Sequence, residues 1–409
     1  MERTDPLRIL IVLEYFPPHI GGVETLFADV TRALAREGHH VTVITLRVPG
    51  TKAREIRHGV EVLRVWTPRW ARRGFFTLLA FPLALRKALH ADVVHAATPN
   101  AALPAWFAAT ITRKPAVHTV HEVFADLLGT LPGLHPLRAL VFRLFERAIL
   151  RLPFAHYICV SQFTRGRLLD LMGIAPARAS VVYNVIDYTF WDAARHHPRD
   201  LKGEMGLDGE TFVYLYFGRP GFLKGVEYLI DAATEIRERL PSSHLAMLLD
   251  HDPPDHYARL RQRIIQLGLT EHVTVRDPVA RDALPSYLLA ADCVIVPSLS
   301  EGFGYAAVEA ATLGCPVVTT AGHAVQEVIG GYADFVPPRD VEALAEAIMT
   351  VAHTRPCRQA PKRFTLAAHV AGLTAIYERL APPSPQCPRD VRTRCQPRAC
   401  GCSISPSEE

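Results

Sequence analysis

Short apolar runs rich in β-branched residues alternate along this chain with stretches of helical periodicity, and the whole series occurs twice. Near the start, residues 8–13 and 41–45 have the composition of buried strands, and residues 23–36 between them have helical spacing. The series restarts with a strand-like run at 211–217, which a helical stretch at 225–239 follows. Alternating strands and helices are typical of βαβ units, in which a mostly parallel sheet is covered on both faces. The sequence therefore predicts an α/β protein with two doubly wound domains.

A polar, proline-containing stretch at residues 188–209 separates the two series. We therefore predict an N-terminal domain at 1–187 and a C-terminal domain at 188–362. A last stretch of helical spacing lies in residues 363–381, which we expect to return to the N-terminal domain as a helix. The Cys- and Pro-rich residues 382–409 are expected to form a disordered tail.

Cysteine usage and the lengths of the apolar runs narrow the class of protein. Of the eight cysteines, three lie in apolar segments, where buried free thiols are the ordinary interpretation, and four lie in the last 23 residues. These four have no standard zinc spacing, so metal or redox binding by the tail is kept only as an alternative.

The first seven residues lack the apolar stretch of a signal peptide, and no apolar run reaches the ~18–20 residues that span a bilayer. We expect a cytoplasmic protein.

Basic residues are concentrated in the first half of the chain. Residues 1–200 contain 25 Lys and Arg against 16 Asp and Glu, whereas the remaining residues contain 20 against 25. The basic half suits an anionic membrane surface or a phosphorylated acceptor. The sequence has no basic stripe interleaved with aromatic residues and no nucleic-acid motif, so we expect no nucleic-acid partner.

Two segments of the first half combine arginines with large apolar side chains. They are residues 70–89, in which Pro82 is expected to break the helix, and residues 137–152. One interpretation is a pair of helices that pack on the core and have basic outer faces. The other is contact with anionic lipid headgroups, which would make the protein peripheral on the inner face of a membrane.

Two cations stand where a strand of the second series ends and a helix is predicted to start, at about residue 224. They are Arg219 and Lys224. A helix N-terminus carries partial positive charge, so stability alone disfavours cations there. A bound anion would make both cations favourable at this position. A helix N-terminus with an arginine and a lysine is typical of a phosphate site. The alternative is an exposed lysine and a capping arginine.

A second strand, at 293–296, leads through a Gly-containing loop into a helix of small residues. The free N–H groups near residues 304–306 could bind a diphosphate. Glu309 is the one charge in this apolar helix, and a buried carboxylate needs partners such as ribose hydroxyls. The simpler alternatives are a favourable N-terminal charge for Glu301 and an internal salt bridge for Glu309.

These residues resemble the motifs of one large enzyme family, the retaining glycosyltransferases of the GT-B fold (glycosyltransferase family 4, group 1 type). Residues 301–309 resemble its Glu-x7-Glu motif, and Arg219 and Lys224 match its Arg-x4-Lys pair. Residues 16–24 resemble its first Gly-rich loop, and residues 119–121 resemble its acceptor-side histidine segment.

The resemblance covers roughly residues 8–380 and implies two Rossmann-like domains that face each other across a cleft. The N-terminal domain would face the acceptor and the C-terminal domain would bind the nucleotide-sugar. The implied reaction is metal-independent transfer of a hexose, with retention, from a nucleotide diphosphate-sugar to a lipid-linked or polysaccharide/glycan acceptor. Such a reaction serves polysaccharide biosynthesis of the cell envelope and needs no cofactor beyond the donor. The alternatives are a sugar-nucleotide epimerase of the same fold and an inactive sugar-nucleotide-binding protein.

The resemblance also implies roles for particular residues. The diphosphate-binding pair would stabilise the leaving group, and further residues would contact the donor sugar, its ribose or its phosphates. The catalytic residues implied are Arg219, Lys224, Glu301 and His121. The donor-binding residues implied are Gly22, Gly302, Phe303, Gly304, Tyr305 and Glu309.

One segment departs from the family pattern. Where the family usually has a Gly-x-Gly-Pro turn, this chain has Asp250, His251 and Asp252. The spacing is similar to the metal motif of a different glycosyltransferase fold. We interpret it as coincidence and expect no metal, with a bound cation as the alternative.

Overall fold

The computed structural model of the protein describes residues 5–19, 21–68, 72–131 and 135–381. It contains two mostly parallel sheets, each covered by helices on both faces, which confirms the predicted architecture of two doubly wound α/β domains. The expected tail at 382–409 and the start of the segment at 70–89 lie outside the described residues.

The first sheet has eight strands. They are β1 (Arg8–Val12), β2 (His40–Leu46), β3 (Arg54–Arg57), β4 (Val60–Val65), β5 (Val93–Ala96), β6 (Ala116–Val120), β7 (His156–Cys159) and β8 (Ala179–Val181). Their order is β3-β4-β2-β1-β5-β6-β7-β8, and only the pair of β3 with β4 is antiparallel. The helices of this domain are α1 (Gly22–Arg36), α2 (Arg72–Ala88), α3 (Pro99–Thr112), α4 (Pro136–Leu150) and α5 (Gln162–Met172).

The second sheet has seven strands. They are β9 (Phe212–Gly218), β10 (Ser243–Leu249), β11 (Val273–Arg276), β12 (Cys293–Val296), β13 (Val317–Thr320), β14 (Gly331–Val336) and β15 (Arg358–Gln359). Their order is β11-β10-β9-β12-β13-β14-β15, and only the pair of β14 with β15 is antiparallel. The remaining helices are α6 (Leu201–Glu204), α7 (Val226–Arg239), α8 (Pro254–Gln266), α9 (Leu284–Ala290), α10 (Tyr305–Thr312), α11 (Ala324–Val328), α12 (Val341–Val351) and α13 (Leu366–Leu380).

Helix α13, the last one in the described part of the chain, packs on the first domain although it follows the second domain in sequence. Val370 of α13 lies in one buried cluster with Leu26 of α1 and Ile9 of β1. The hydroxyl of Tyr377 and Nδ1 of His95 are hydrogen-bonded at 2.6 Å, and both side chains are fully buried. Helix α13 therefore completes the core on this face of the first sheet.

Helix α2 runs without interruption through Pro82, so the expected break is wrong. Proline removes one backbone donor, but Pro82 lies on the exposed side of the helix, where water can satisfy the freed carbonyl. On the opposite side, the buried residues recur every four positions and anchor both halves of the helix to the core. These buried residues are Phe76, Ala80, Ala84 and Ala88. This tertiary packing outweighs the local penalty.

Helix α4 differs from α2 because most of its apolar side chains are exposed. Only Ala139, Ile149 and Leu150 of this helix are buried. Leu137 is 62% exposed and Leu144 is 55% exposed. For α4, the expected core packing is therefore limited to three residues. Across the described residues, no helix is both long and apolar enough to cross a bilayer.

Three strands, β3, β14 and β15, lack the apolar signature of a buried strand. The edge strands β3 and β15 are polar and pair in the antiparallel direction, so they lack the apolar signature of the central strands. In β14, only Ala333 and Val336 are buried, and Asp334 interrupts the apolar pattern. Each of these strands depends on its neighbour in the sheet rather than on its own composition.

Candidate active site

The two sheets turn the carboxyl ends of several central strands towards one cleft between the domains. The cleft has a volume of ≈ 720 Å³, within the range of small-molecule sites. The loops after β1 and β6 line its first-domain side, and the loops after β9 and β12 line its second-domain side. Open α/β sheets bind ligands at this edge because loops and helix N-termini converge there. All ten residues that the sequence analysis assigned to the site lie along this cleft.

An ion pair occupies the centre of the second-domain wall. Nζ of Lys224 lies 2.7 Å from Oε1 of Glu301, and the same oxygen accepts a 2.7 Å hydrogen bond from the hydroxyl of Ser298. Burial disfavours both charges, but their mutual attraction and hydrogen bond outweigh it, so the pKa of Lys224 is raised and that of Glu301 is lowered. The sequence analysis gave these two residues separate roles and did not foresee their pairing.

Arg219 lies in the same wall and is exposed to the cleft. Within the described part of the chain, its guanidinium has no hydrogen-bond or ion-pair partner. The helix that follows begins at Val226, two residues later than the expected start near Lys224, so both cations precede it in the loop after β9. The arrangement leaves one free guanidinium and one paired ammonium facing the same space.

The start of α10 supplies backbone donors beside these cations. Gly304 stands just before the helix with a φ of 81°, a conformation that favours glycine, and a Cβ there would lie 2.3 Å from the side chain of Val325. Phe303 is 3% exposed and packs its ring against those of Tyr305 and Phe364, so its contribution to the cleft comes through its backbone. The ring of Tyr305 in turn reaches Gly22, where an added Cβ would stand 3.4 Å away.

Glu309 projects from α10 towards the cleft and is only partly covered. Burial raises its pKa to about 7, and Arg281 and a hydrogen bond from the indole of Trp191 oppose that rise. Among the described residues it makes no ion pair closer than 4 Å, so the internal salt bridge considered from the sequence does not form. The carboxyl group can therefore accept hydrogen bonds from a ligand.

On the first-domain wall, His121 follows β6. Its Nε2 lies 2.9 Å from the carbonyl oxygen of Ala97. Because a carbonyl oxygen only accepts, Nε2 carries the hydrogen, and Nδ1 is left as the acceptor atom of the ring. Burial lowers the pKa of His121 to about 4, so the imidazole is neutral at physiological pH.

The two walls touch at Gly302. A Cβ at this position would lie 1.7 Å from the carbonyl oxygen of His121 and 3.3 Å from Cβ of Glu122. Only a residue without a side chain permits this approach. Glu122 also lines the cleft, and the sequence analysis missed it, although its place beside His121 at the end of a strand was a usable signal.

Glu327 of α11 connects the second domain with the first. Its carboxylate accepts hydrogen bonds from the backbone N–H groups of Gln162 at 2.7 Å and Phe163 at 3.0 Å, which begin α5. It also accepts one from the hydroxyl of Tyr183 at 2.6 Å. A carboxylate at a helix N-terminus is favourable because the unpaired N–H groups point at it. The partners are 144 to 165 residues away in sequence, so no local pattern indicates them.

The Asp-His-Asp segment also reaches the cleft, through Asp250 and Asp252. Oδ1 of Asp250 accepts a hydrogen bond from the backbone N–H of Asp252, and His251 pairs with Asp277 at 2.9 Å. Among the described residues, no three or more His, Cys, Asp or Glu side chains are arranged to hold a metal ion.

Both halves of the chain match models of known protein families. Residues 20–190 match the family model described as Glycosyltransferase Family 4, and residues 199–368 match the model described as Glycosyl transferases group 1. Glycogen synthase of Mycobacterium tuberculosis is 28% identical over 395 residues, which cover 88% of this chain and 90% of that protein.

Solved structures of other proteins share the fold of this chain. Sucrose-phosphate synthase from Thermosynechococcus elongatus superposes with a TM-score of 0.74 at 20% identity, covering 91% of this chain and 99% of that one. The Anabaena protein Alr3699/HepE, solved in complex with UDP-glucose, superposes with a TM-score of 0.67 at 21% identity, covering 92% and 95%.

Proposed function

The chain belongs to the group 1 glycosyltransferases of the GT-B fold, and we propose that it transfers a hexose, with retention, from a nucleotide diphosphate-sugar to a lipid-linked or glycan acceptor. The observation that carries this proposal is the cationic wall of the cleft, where Arg219 has no partner among the described residues and Lys224 lies in the same wall. An unpaired guanidinium next to a paired ammonium is a site for a diphosphate, because it offers a free fork of donors and a second charge.

In this proposal, Arg219 and Lys224 bind the donor diphosphate and stabilise the negative charge that grows on it as the sugar departs. The N–H groups at the start of α10 add to this stabilisation. Glu309 accepts hydrogen bonds from the ribose hydroxyls. Two fixed cations supply the charge that a divalent ion supplies elsewhere, so we propose that the reaction needs no metal.

Glu301 has two tasks in this scheme. Its pairing with Lys224 fixes the position of the ammonium group, and its remaining oxygen is available to a hydroxyl of the transferred sugar. His121 faces the same space from the first domain, with a neutral ring and Nδ1 as acceptor. It would receive a hydrogen bond from the sugar or the acceptor, while the departing phosphate takes the proton of the attacking hydroxyl.

A panel of UDP-, GDP- and ADP-glucose tests the proposal, with release of the free nucleoside diphosphate measured with and without a membrane extract. We expect release that depends on the extract, and a new bond with the configuration of the donor sugar. Binding without release would favour the inactive sugar-nucleotide-binding protein, and a free sugar epimer would favour the epimerase.

Matched variants and a chelator sharpen this experiment. Arg219→Gln should lower the rate by at least tenfold, whereas Arg261→Gln, an exposed arginine of α8 outside the cleft, should not. EDTA should leave the rate unchanged. A rate that EDTA abolishes and Mg²⁺ restores would contradict the metal-free reaction and would direct attention to Asp250 and Asp252.

The exposed face of α4 supports a membrane-bound acceptor. Large apolar side chains lie beside arginines on this helix, and its one acidic residue, Glu146, is occupied by a 2.7 Å hydrogen bond from the backbone N–H of Phe124. Such a surface suits the headgroup region of an anionic bilayer. We propose that the protein works as a peripheral protein on the cytoplasmic face of a membrane.

Vesicle co-sedimentation tests this part separately. The protein should bind vesicles that contain phosphatidylglycerol and not vesicles of phosphatidylcholine alone. Leu144→Ser, at a 55% exposed position of α4, should weaken binding, whereas Ile265→Ser, at a 63% exposed position of α8 in the second domain, should not. Equal binding by both variants would refute the role of α4.

A further inference from the structure

Glu122 is a carboxyl group in the cleft to which neither the sequence motifs nor the proposed reaction assigns a task. It follows His121 at the end of β6 and lines the cleft. It lies against the loop that carries Glu301, since its Cβ is 3.3 Å from where a Cβ on Gly302 would stand. Its Oε1 is shielded from solvent and makes no hydrogen bond of ordinary length among the described residues, although the hydroxyl of Ser300 lies near enough to act on its pKa.

The cations around Glu122 already have partners. Lys224 is paired with Glu301 at 2.7 Å, and Arg167 of α5 is paired with Asp126. Facing Glu122 from the second domain are therefore a carboxylate and an ammonium group that neutralise each other. A negative charge on Glu122 would stand next to Glu301 and be offset only by Lys224 and Arg167, which are already paired, and a bound diphosphate would add further negative charge to the same cleft.

We propose that Glu122 works as an uncharged carboxylic acid that binds a hydroxyl group of the transferred sugar, donating one hydrogen bond and accepting another. This inference rests on the proposed sugar transfer. It identifies a further substrate-binding residue on the first-domain wall, opposite Glu301. A neutral carboxyl suits a hydroxyl because each group both donates and accepts.

The electrostatics of the site agree with a protonated form. Burial and, to a smaller extent, repulsion by Glu301 raise the pKa of Glu122 to about 7, against the opposing effects of the Ser300 hydroxyl and of the charges of Lys224 and Arg167. The working form is therefore present below pH 7 and is lost as the pH rises through that value. Bound donor brings more negative charge, so the pKa should be higher in the complex than in the free enzyme.

The pH dependence of turnover tests the proposal. For the wild type, kcat/KM for the donor should fall above pH 7 by about tenfold per pH unit, and kcat should fall at a higher pH. Glu122→Gln keeps a neutral side chain that donates and accepts. It should lose up to about tenfold in kcat/KM at pH 6 and should show no fall between pH 7 and 9.

Glu146→Gln provides the matched control. The pKa of Glu146 is also raised to about 7, chiefly by burial, but this residue does not line the cleft. The Glu146→Gln variant should keep the falling limb of the wild type. The same falling limb in the Glu122→Gln variant, or a wild-type profile that is flat from pH 7 to 9, would overturn the proposal.

Calorimetry separates this inference from the proposed function. Titrations with UDP-glucose, or with GDP-glucose if UDP-glucose does not bind, should be run at pH 7.5 in two buffers of different ionisation enthalpy. The wild type should take up a fraction of a proton on binding, and the Glu122→Gln variant should take up less. Binding without this difference would overturn the inference alone, whereas no binding of any nucleotide-sugar would overturn the proposed function.

Discussion

Replacing Gly302 with alanine tests whether the two walls meet in the working enzyme as closely as they do in the structure. An added Cβ would stand 1.7 Å from the carbonyl oxygen of His121. Carbon and oxygen atoms that are not bonded need a separation of roughly 3.2 Å, so the walls must part by about 1.5 Å. The backbone of Gly302 is not in the left-handed region, so space alone excludes the side chain.

A displacement of this size should act on turnover rather than on donor affinity. The diphosphate-binding residues all lie in the second domain and stay together, whereas the first-domain residues move away from the sugar. A misplacement of about 1 Å can cost roughly 100-fold in rate, so we expect kcat to fall by about two orders of magnitude. The assay is the initial rate of nucleotide release at saturating donor, with the thermal unfolding midpoint as a check of folding.

Two further alanine variants calibrate the result. Gly166→Ala places its Cβ in open space within α5 and should leave kcat unchanged. Gly22→Ala meets the ring of Tyr305 at 3.4 Å, an ordinary contact, and should cost only a few-fold. A Gly302→Ala variant with kcat within about threefold of the wild type would refute the reasoning, because it would show that the walls stand apart during catalysis.

Three more substitutions have expected outcomes. Lys224→Ala should reduce kcat, measured as nucleotide release, by roughly 100- to 1000-fold, which corresponds to about 3–4 kcal/mol. The substitution removes a cation from the leaving group and leaves Glu301 without its partner. Near-normal turnover would contradict the role of Lys224. Glu327→Gln should lower the free energy of unfolding in urea by about 0.3–1 kcal/mol, because its charge faces the N-terminus of α5; a stability unchanged within error would contradict this. Tyr377→Phe should lower the free energy of unfolding by about 1 kcal/mol or more, because it leaves a nitrogen of the buried His95 unpaired. Denaturation of the wild type and the variant at pH 7 checks this.

The central strands and the long helices could be predicted from the sequence because each bears its own periodicity. The run at 41–45 became β2 (His40–Leu46), and the run at 293–296 became β12 with the same bounds. These strands are buried on both faces, so their composition alone identifies them. The polar edge strand β3 has no such signature, and its backbone groups pair only because β4 lies beside it.

Pairings between distant residues lay beyond the sequence analysis. The motif identified Lys224 and Glu301 as site residues, but that they pair depends on β9 and β12 being neighbours in the sheet. The contact of Glu327 with α5 depends on how the two domains face each other. The place of Glu122 beside His121 was a usable signal, but its raised pKa comes from burial and from Glu301 of the opposite wall, which its neighbours in sequence do not indicate.

The position of α13 means that the N-terminal domain is not made from one continuous stretch of the polypeptide. As the protein leaves the ribosome, β1 and α1 emerge with an apolar surface that residues 366–380 cover in the folded protein. At about 5–20 residues per second, the wait lasts roughly 15–65 s, a window in which a chaperone could hold that surface. A premature stop codon ahead of Leu366 would accordingly harm the half of the protein that is synthesised first.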